Sequence, residues 1–276
     1  MLRFLGAAAN PAKSNITLLG APLDLTTSFR PGTRFAPGRI RAVSEALESY
    51  SLHWQQDLEE LAWADEGDVL LSAEVMTALG QIETACREVY ARTNRLLLLG
   101  GEHLITYGAV CAARSVHPDL AVLCWDAHAD LRHEYLGLCY SHATVGRRIL
   151  DLVGEESFFQ AGVRSVAPEE RGWIERLWGE DLQGFVSVMR KKLGTRPVYL
   201  SIDVDVLDPA YAPGTGAPEP GGVTTRELFS ALYSLEGMNL VGADIVEVCP
   251  PCDGGDVTAL VAAKLTRELL FMLDKS

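Results

Sequence analysis

Short apolar runs alternate along the chain with longer stretches in which apolar residues recur every three or four positions. An apolar run of about four to eight residues predicts a buried strand, and the longer periodic stretches predict amphipathic helices. Strands that alternate with helices build a mostly parallel sheet covered on both faces, so the pattern predicts a three-layer α/β/α fold. No linker interrupts the alternation, and we therefore expect a single domain over residues 1–276. The predicted strands cover residues 15–22, 61–69, 96–99, 121–125, 157–162, 197–206 and 239–248.

The helices predicted between these strands differ in how clearly their ends are marked. Pro37 begins the first helix, at a position where proline fits a helix N-terminus. Ser72 is expected to cap the second, which continues with one apolar face through residue 93. The remaining helices are expected after His103 up to residue 116, over residues 143–153, 168–177, 182–193 and 257–273, and from Thr225.

The composition is that of an acidic globular protein, with 48% hydrophobic residues, 22% charged residues and a net charge of −13. Such a surface argues against a nucleic-acid partner, whose phosphates attract lysine and arginine. It is compatible with a small cationic substrate. No apolar run approaches the roughly 20 residues of a membrane span, and the N-terminal residues do not resemble a signal peptide. We therefore expect a cytoplasmic protein without a membrane partner.

The six cysteines are scattered through the chain and read as reduced thiols. Cys249 and Cys252 form a lone CxxC motif around two prolines. Redox activity and zinc binding both remain open for it. The motif has no second CxxC and does not open a thioredoxin-like helix, so a structural role is the favoured interpretation.

Polar side chains follow four of the predicted strands. Residues 126–130 carry Asp, His and Asp at alternate positions, and Asp203 and Asp205 repeat this spacing. Alternate residues of an extended strand face the same way, so each group is expected to point in one direction. His103 follows a Gly-Gly turn, and Glu247 ends another strand. Active sites of parallel sheets lie at the carboxyl ends of the strands, where all these residues are predicted to meet.

Together the clusters supply two histidines and four aspartates, which carry a formal charge of −4 without cations and would repel one another. Two carboxylate-bridged metal ions, typically about 3.5–4 Å apart, account for so many ligands better than one ion. Oxygen ligands with imidazole and no thiolate suit Mn²⁺. Zn²⁺, Co²⁺, Ni²⁺ and Fe²⁺ remain possible, and Mg²⁺ is less suited. The residues predict metal-assisted hydrolysis at an electrophilic carbon or phosphorus.

Five motifs that carry these residues occur in an order and spacing that resembles the ureohydrolase family, which includes arginases and agmatinases. The motifs are GGEH, DAHAD, SIDVDVLDPA, GTGAPEPGG and DIVEVCPP. The similarity extends from residues 20–41 to residues 256–265, which is nearly the whole chain. The segments SFRPG, YSHAT and PEPGG resemble agmatinases more than arginases. The resemblance implies an arginase-like fold and the hydrolysis of agmatine to urea and putrescine with two Mn²⁺ ions.

The resemblance also implies individual roles for the site residues. One Mn²⁺ would be held by His103, Asp126, Asp130 and Asp203, and the other by Asp126, His128, Asp203 and Asp205. Water activated between the metals would attack the guanidinium carbon. Asp130 would relay a proton to the leaving amine, His142 would act as a proton shuttle, and Glu247 would pair with the guanidinium. The resemblance further suggests a homotrimer or homohexamer.

Departures from the family pattern concern the substrate rather than the metals. Leu104 stands where the family usually has serine, and residues 131–140 lack the Asn and Ser pattern of arginases. Glu134 in that loop is a candidate partner for the distal ammonium of a substrate. Arg132 keeps open an anionic substrate such as guanidinobutyrate.

Three alternatives to agmatine hydrolysis remain. The same chemistry could act on N1-aminopropylagmatine to give spermidine, on guanidinobutyrate or on arginine. A non-catalytic regulatory homologue is disfavoured because the metal ligands, His142 and Glu247 are all present. A deacetylase with a single zinc ion is disfavoured because it would need fewer aspartates.

Overall fold

The structure, a computed structural model, describes residues 2–7, 14–92, 95–179 and 181–276. The strands are β1 (Ile16–Ala21), β2 (Tyr50–Ser51), β3 (Gln56–Asp57), β4 (Trp63–Asp68), β5 (Arg95–Gly100), β6 (Ala121–Trp125), β7 (Phe158–Ala161), β8 (Leu177–Trp178), β9 (Val198–Asp203) and β10 (Leu240–Val246). Eight of them form a sheet in the order β4-β1-β5-β10-β9-β6-β7-β8, in which every pairing is parallel. Strands β2 and β3 form a separate antiparallel pair.

Helices cover both faces of the sheet. They are α1 (Ala36–Ser44), α2 (Val75–Arg92), α3 (Ile105–Val116), α4 (Val145–Val153), α5 (Leu182–Leu193), α6 (Thr225–Tyr233) and α7 (Val257–Lys275). One apolar core joins the sheet to α1, α5, α6 and α7, and a second joins it to α2, α3 and α4. In β5, Leu97 and Leu99 enter the first core while Leu96 and Leu98 enter the second, as expected for a strand buried on both faces. The predicted three-layer α/β/α fold is confirmed.

Several element boundaries differ from the prediction. Strand β9 ends at Asp203, and Val204–Val206 form a 3₁₀ turn because the Asp203 side chain accepts the N–H of Asp205 at 2.8 Å. The predicted helix over residues 168–177 is a 3₁₀ segment, Pro168–Arg176, which leads into β8.

The start of α2 also differs. Ser72 does not cap this helix, which begins at Val75. The carboxylate of Glu74 accepts the N–H groups of Met76 and Thr77, while the Ser72 hydroxyl accepts that of Glu74. Residue 93, the predicted end of α2, lies outside the described residues. No helix in the described ranges has the length and apolar character needed to cross a membrane.

A buried ion pair fastens α1 to the edge of the sheet. Arg41 of α1 donates from Nε and Nη2 to the two carboxylate oxygens of Asp65 in β4, at 2.8 and 2.9 Å. Arg41 and Asp65 are both buried, and Asp65 also accepts the N–H of Phe4. The pair therefore joins the N-terminal residues, α1 and β4.

We predict that Arg41→Met lowers the free energy of unfolding by about 3–5 kcal/mol, because it leaves the carboxylate of Asp65 buried without its cation. Urea denaturation followed by circular dichroism measures the change. Arg39→Met is the matched control on the same helix, since Arg39 makes an exposed pair with Asp256, and its loss should be much smaller. Equal losses in the two variants would contradict the assignment.

Candidate active site

Four adjacent strands bring the predicted site residues to one edge of the sheet. In the order β5-β10-β9-β6, Leu99 lies beside Ile245, Ile245 beside Ile202, and Ile202 beside Trp125. The chain segments that follow these four residues carry His103, Glu247, Asp203 with Asp205, and Asp126 with His128 and Asp130. The shared register of the strands thus delivers every predicted metal ligand to the same place.

These segments enclose a cavity of about 240 Å³. Its lining includes seven of the predicted site residues: His103, His128, Asp130, His142, Asp203, Asp205 and Glu247. Asp126 is fully buried beneath them, 3.1 Å from the ring of His103. Glu134 is exposed and is not among the described residues that line the cavity, so the structure does not bring it to the site.

The geometry of the aspartates differs from the alternation expected on a strand. Strand β6 ends at Trp125, so residues 126–130 form an irregular segment beyond it. Asp130 has a φ of 51° and Glu247 a φ of 65°, both in the left-handed region. A non-glycine residue held there costs of order 1–3 kcal/mol and is typical of functional sites. The predicted residues meet at this edge of the sheet, but loop conformation, not strand alternation, orients Asp130.

Three aspartates share one arrangement, in which a backbone N–H holds one oxygen and the other oxygen is left for the centre of the site. Asp126 Oδ1 accepts from His128 at 2.6 Å, Asp203 Oδ1 from Asp205 at 2.8 Å, and Asp205 Oδ1 from Ala127 at 3.1 Å. The Oδ2 atoms of these aspartates lie close to histidine rings. The backbone therefore fixes the direction in which each carboxylate points.

His103 is the centre of the first group of ligands. Its Nδ1 lies 3.1 Å from Asp126 Oδ2, 3.3 Å from Asp203 Oδ2 and 3.5 Å from Asp130 Oδ2. On the other side of the ring, Nε2 lies 3.1 Å from the hydroxyl oxygen of Ser201. Ser201 donates its proton to Asp244 at 2.6 Å, so it accepts from Nε2–H. Neutral His103 therefore turns a lone pair towards three carboxylates.

His128 is the centre of the second group. Its Nδ1 lies 2.9 Å from Asp205 Oδ2 and 3.6 Å from Asp126 Oδ1. Asp126 thus faces both histidines, which is the position of a bridging ligand. Cys124 is also near His103, but its sulfur lies 3.7 Å from Nε2, on the ring side away from the carboxylates. Cys124 therefore packs behind His103 rather than facing the centre of the site.

The negative charge of these carboxylates is not balanced within the site, and added positive charge would stabilise it. Burial, together with Asp126, raises the pKa of Asp130 to about 6. Burial opposes protonation of His103, yet Cys124 and the surrounding carboxylates together raise its pKa well above the usual value. His103 Nδ1 and Asp126 Oδ2 are buried and have no hydrogen-bond partner among the described residues. Divalent cations between these atoms would satisfy both, so the donor set fits metal ions.

Glu247 occupies the cavity wall beside the metal-ligand groups. Its Oε1 accepts the N–H of His103 at 2.6 Å, and its own N–H donates to Gly101. Gly101 has no room for a side chain, because a Cβ there would lie 2.0 Å from the carbonyl oxygen of Leu23. The Gly-Gly turn therefore positions His103 and Glu247 together. Burial raises the pKa of Glu247 to about 8, which is typical of a buried acid whose cationic partner has yet to bind.

His142 also lines the cavity, where Thr26 holds it and Glu102 in turn holds Thr26; sequence reasoning missed both of these residues. Thr26 donates its hydroxyl proton to Glu102 at 2.7 Å, so its oxygen accepts from His142 N–H at 3.0 Å and from Nδ1 at 3.3 Å. The proton of the neutral ring is therefore on Nδ1, and Nε2 presents a lone pair near Ser28. Burial is the main cause that lowers the pKa of His142 to about 4, so the ring is neutral at pH 7.

The residues that sequence reasoning missed differ in whether they leave a local signal. Ser201 lies two positions before Asp203 on β9, and Asp244 is the acid within the apolar run of β10. Either position could have been recognised as a polar residue in a buried strand. Thr26 and Glu102 are 76 positions apart, and no pattern in the sequence indicates that they meet.

Two arginines and an aromatic ring line the cavity away from the metal-ligand groups. The Arg132 guanidinium lies 4.6 Å from the ring centre of Tyr135, and Tyr135 contacts His142 edge to face at 5.7 Å. Arg30 lines the same cavity. Glu170, buried beside them, accepts the N–H groups of Leu131 and Ala167 at 2.7 and 2.5 Å. It thereby fastens two segments of the cavity wall to each other.

The chain is similar to known proteins over most of its length. A model of the arginase family matches residues 14–272. An agmatinase of Bacillus cereus is 41% identical over 266 residues, which cover 94% of this chain and 91% of that protein. The structure of a putative agmatinase from Clostridium difficile has a TM-score of 0.91 and 37% identity, covering 96% of this chain and 99% of that one.

A second solved structure is similarly close. Proclavaminate amidino hydrolase from Streptomyces clavuligerus has a TM-score of 0.92 and 31% identity, covering 100% of this chain and 97% of that one. The family match and the relatives both extend over almost the whole chain, and they agree with the fold. The chain therefore belongs to the arginase family, in which it is an agmatinase-like ureohydrolase, a hydrolase of guanidino C–N bonds.

Proposed function

We propose that this chain is a binuclear manganese amidinohydrolase that converts agmatine and water into putrescine and urea, as a step of polyamine biosynthesis. The observation that carries the proposal is the half-buried carboxylate of Glu247, which lines the cavity beside the clustered candidate metal ligands. A guanidinium stays charged at neutral pH and binds a carboxylate through two parallel N–H groups. The similarity to agmatinases supports agmatine over other guanidinium compounds.

The metal assignments follow the two groups of ligands. His103, Asp126, Asp130 and Asp203 would hold one ion, and Asp126, His128, Asp203 and Asp205 the other, with Asp126 and Asp203 shared. Divalent cations in such a site lower the pKa of water and so supply a nucleophile at neutral pH. Carboxylate and imidazole donors favour Mn²⁺.

The protein's own groups would bind the substrate and move protons. Glu247 orients the guanidinium so that its carbon lies towards the metal ligands, and it balances the positive charge. Asp130 transfers a proton to the amine that leaves when the C–N bond breaks. His142, neutral with a free lone pair on Nε2, exchanges protons between the cavity and solvent.

A guanidino acid is the second candidate substrate. Arg30 and Arg132 both line the cavity, and either could pair with a carboxylate at the far end of such a molecule. The similarity to proclavaminate amidino hydrolase is compatible with this alternative. A cytoplasmic location, a homotrimer or homohexamer, and a single domain over residues 1–276 remain predictions.

The first test is urea release by the purified protein with added Mn²⁺ from agmatine, arginine, N1-aminopropylagmatine and guanidinobutyrate. We expect the highest kcat/KM for agmatine. A preference for guanidinobutyrate that Arg132→Met abolishes would select the guanidino acid instead. No urea from any of the four compounds would refute the proposal.

We predict that Glu247→Gln costs about 2–5 kcal/mol of transition-state stabilisation, which lowers kcat/KM roughly 30-fold or more. The reason is that the guanidinium of the substrate loses the carboxylate with which it pairs. Metal content, measured by inductively coupled plasma mass spectrometry, should stay unchanged. Glu134→Gln removes the same charge from an exposed position and is the control. A raised KM for agmatine in Glu134→Gln would support the sequence-based prediction that this residue meets the distal ammonium.

We predict that Asp205→Asn weakens Mn²⁺ binding by more than roughly 100-fold. Loss of a residue that only orients a metal ligand already costs about 10–100-fold, and Asp205 is proposed to bind the metal directly. The metal-free variant should keep the fold, because the loss of repulsion from Asp203 offsets the loss of the contact with His128. Calorimetric titration with Mn²⁺ and urea denaturation measure the two effects. Asp151→Asn, at an exposed position on α4, should bind Mn²⁺ as the wild type does. Wild-type affinity in Asp205→Asn would exclude it as a ligand.

A further inference from the structure

The CxxC motif forms a tight turn immediately beyond the active site. Pro250–Cys252 are a 3₁₀ turn, which the N–H of Cys252 closes by donating to the carbonyl of Cys249 at 2.9 Å. The two sulfur atoms lie 3.3 Å apart. Cys249 is fully buried and Cys252 is half-buried, so solvent reaches the pair through Cys252.

The geometry of this turn is compatible with a disulfide bond. A turn closed between its first and fourth residues holds their Cα atoms within about 7 Å, and disulfides typically span about 4.4–6.8 Å. The sulfurs would have to approach by only about 1.3 Å to reach the bond length of roughly 2.05 Å. Two prolines restrict the turn and hold both side chains on one side of it.

The turn is packed between two loops that line the cavity. On one side, the Cys249 thiol donates to the carbonyl of Pro31 at 3.5 Å, and a Cβ on Gly32 would lie 2.7 Å from Pro251. On the other side, the N–H of Cys249 donates to Gly214 at 2.7 Å. Movement of the turn therefore displaces the backbone of both loops.

These loops carry residues of the cavity wall. The first continues into Thr27, Ser28, Phe29 and Arg30, and the second into Gly216 and Ala217. Glu247 precedes Cys249 by two residues and is already held at a positive φ. The turn thus adjoins three parts of the site that would contact the substrate.

We propose that Cys249 and Cys252 form a reversible disulfide that lowers activity by displacing these loops; the effect on activity rests on the function proposed above. The oxidant is a low-molecular-weight disulfide such as oxidised glutathione. The Cys252 thiolate attacks one sulfur of the oxidant and releases the first thiol. The Cys249 thiolate then attacks Cys252 and releases the second, so two protein thiols and one disulfide give one protein disulfide and two thiols.

Oxidation changes two contacts of the turn with the first loop. Cys249 loses its S–H and can no longer donate to Pro31, whose carbonyl is left without that partner. Pro251, packed against Gly32, must shift as the sulfurs approach. A displacement of about 1 Å in residues that position a substrate can cost up to about 100-fold in rate.

The first experiment counts thiols in the full-length protein and does not depend on activity. Protein equilibrated with oxidised glutathione is denatured, alkylated with iodoacetamide and mapped by mass spectrometry. We expect two of the six cysteines, Cys249 and Cys252, to resist alkylation until dithiothreitol is added. Cys252→Ser should lose this protection, and Cys139→Ser, which removes an exposed thiol elsewhere, should keep it. Free thiols at both positions, or a persistent glutathione adduct on Cys252, would overturn the proposal.

The second experiment measures urea release before and after oxidation and after reduction. We expect kcat/KM to fall by about tenfold in the wild type and in Cys139→Ser, to recover with dithiothreitol, and to stay constant in Cys252→Ser. A disulfide that forms without changing kcat/KM would overturn its regulatory role. If the reduced protein releases no urea, the proposed function fails while the thiol count still decides whether the disulfide exists.

Discussion

Buried negative charge at the carboxyl edge of the sheet is the constraint on which the site depends. Asp126, Asp203 and Asp205 are buried, and Asp130 and Glu247 lie half-buried in the same site. The Nδ1 atom of His103 lies 3.1–3.5 Å from three of the aspartates. Removing charges from water is costly unless partners compensate. The protein supplies one N–H to an oxygen of Asp126, Asp203 and Asp205, which fixes the carboxylates without neutralising them. The remaining negative charge would attract divalent cations.

The sheet makes this arrangement possible because its strands end in register. Strands β5, β10, β9 and β6 are neighbours, and each is buried on both faces by apolar side chains. The two cores hold the strand ends rigidly, so segments beyond them can adopt unfavourable backbone conformations at Asp130 and Glu247. Large apolar burial elsewhere in the fold offsets the local strain and the repulsion between carboxylates.

The alternation of strands and helices could be predicted from the sequence because it leaves local signals, and the candidate ligands could be proposed for the same reason. Apolar runs mark buried strands, and acids directly after them mark a polar edge. The alternation argument singled out Asp126 and Asp130, which both lie near His103, although that segment is not a strand. Contacts between distant residues could not be predicted in this way. Thr26 reaches Glu102 and His142 only through the fold, and the exposure of Glu134 depends on how its loop packs.

The site also divides into two parts that different contacts stabilise. The metal ligands are fixed by strand ends and backbone N–H groups, whereas the outer wall is fixed by side chains such as Glu102 and Glu170 that bind loop backbones. Loops held in this manner can change in sequence or position without moving the metal ligands. Substrate choice can therefore vary in a family whose hydrolytic chemistry stays constant. Glu247 belongs to both parts, since it accepts the N–H of His103 and lines the cavity, and the Cys249–Cys252 turn adjoins it. A displacement of that turn would thus reach the cavity wall directly, and the candidate metal ligand His103 only through Glu247.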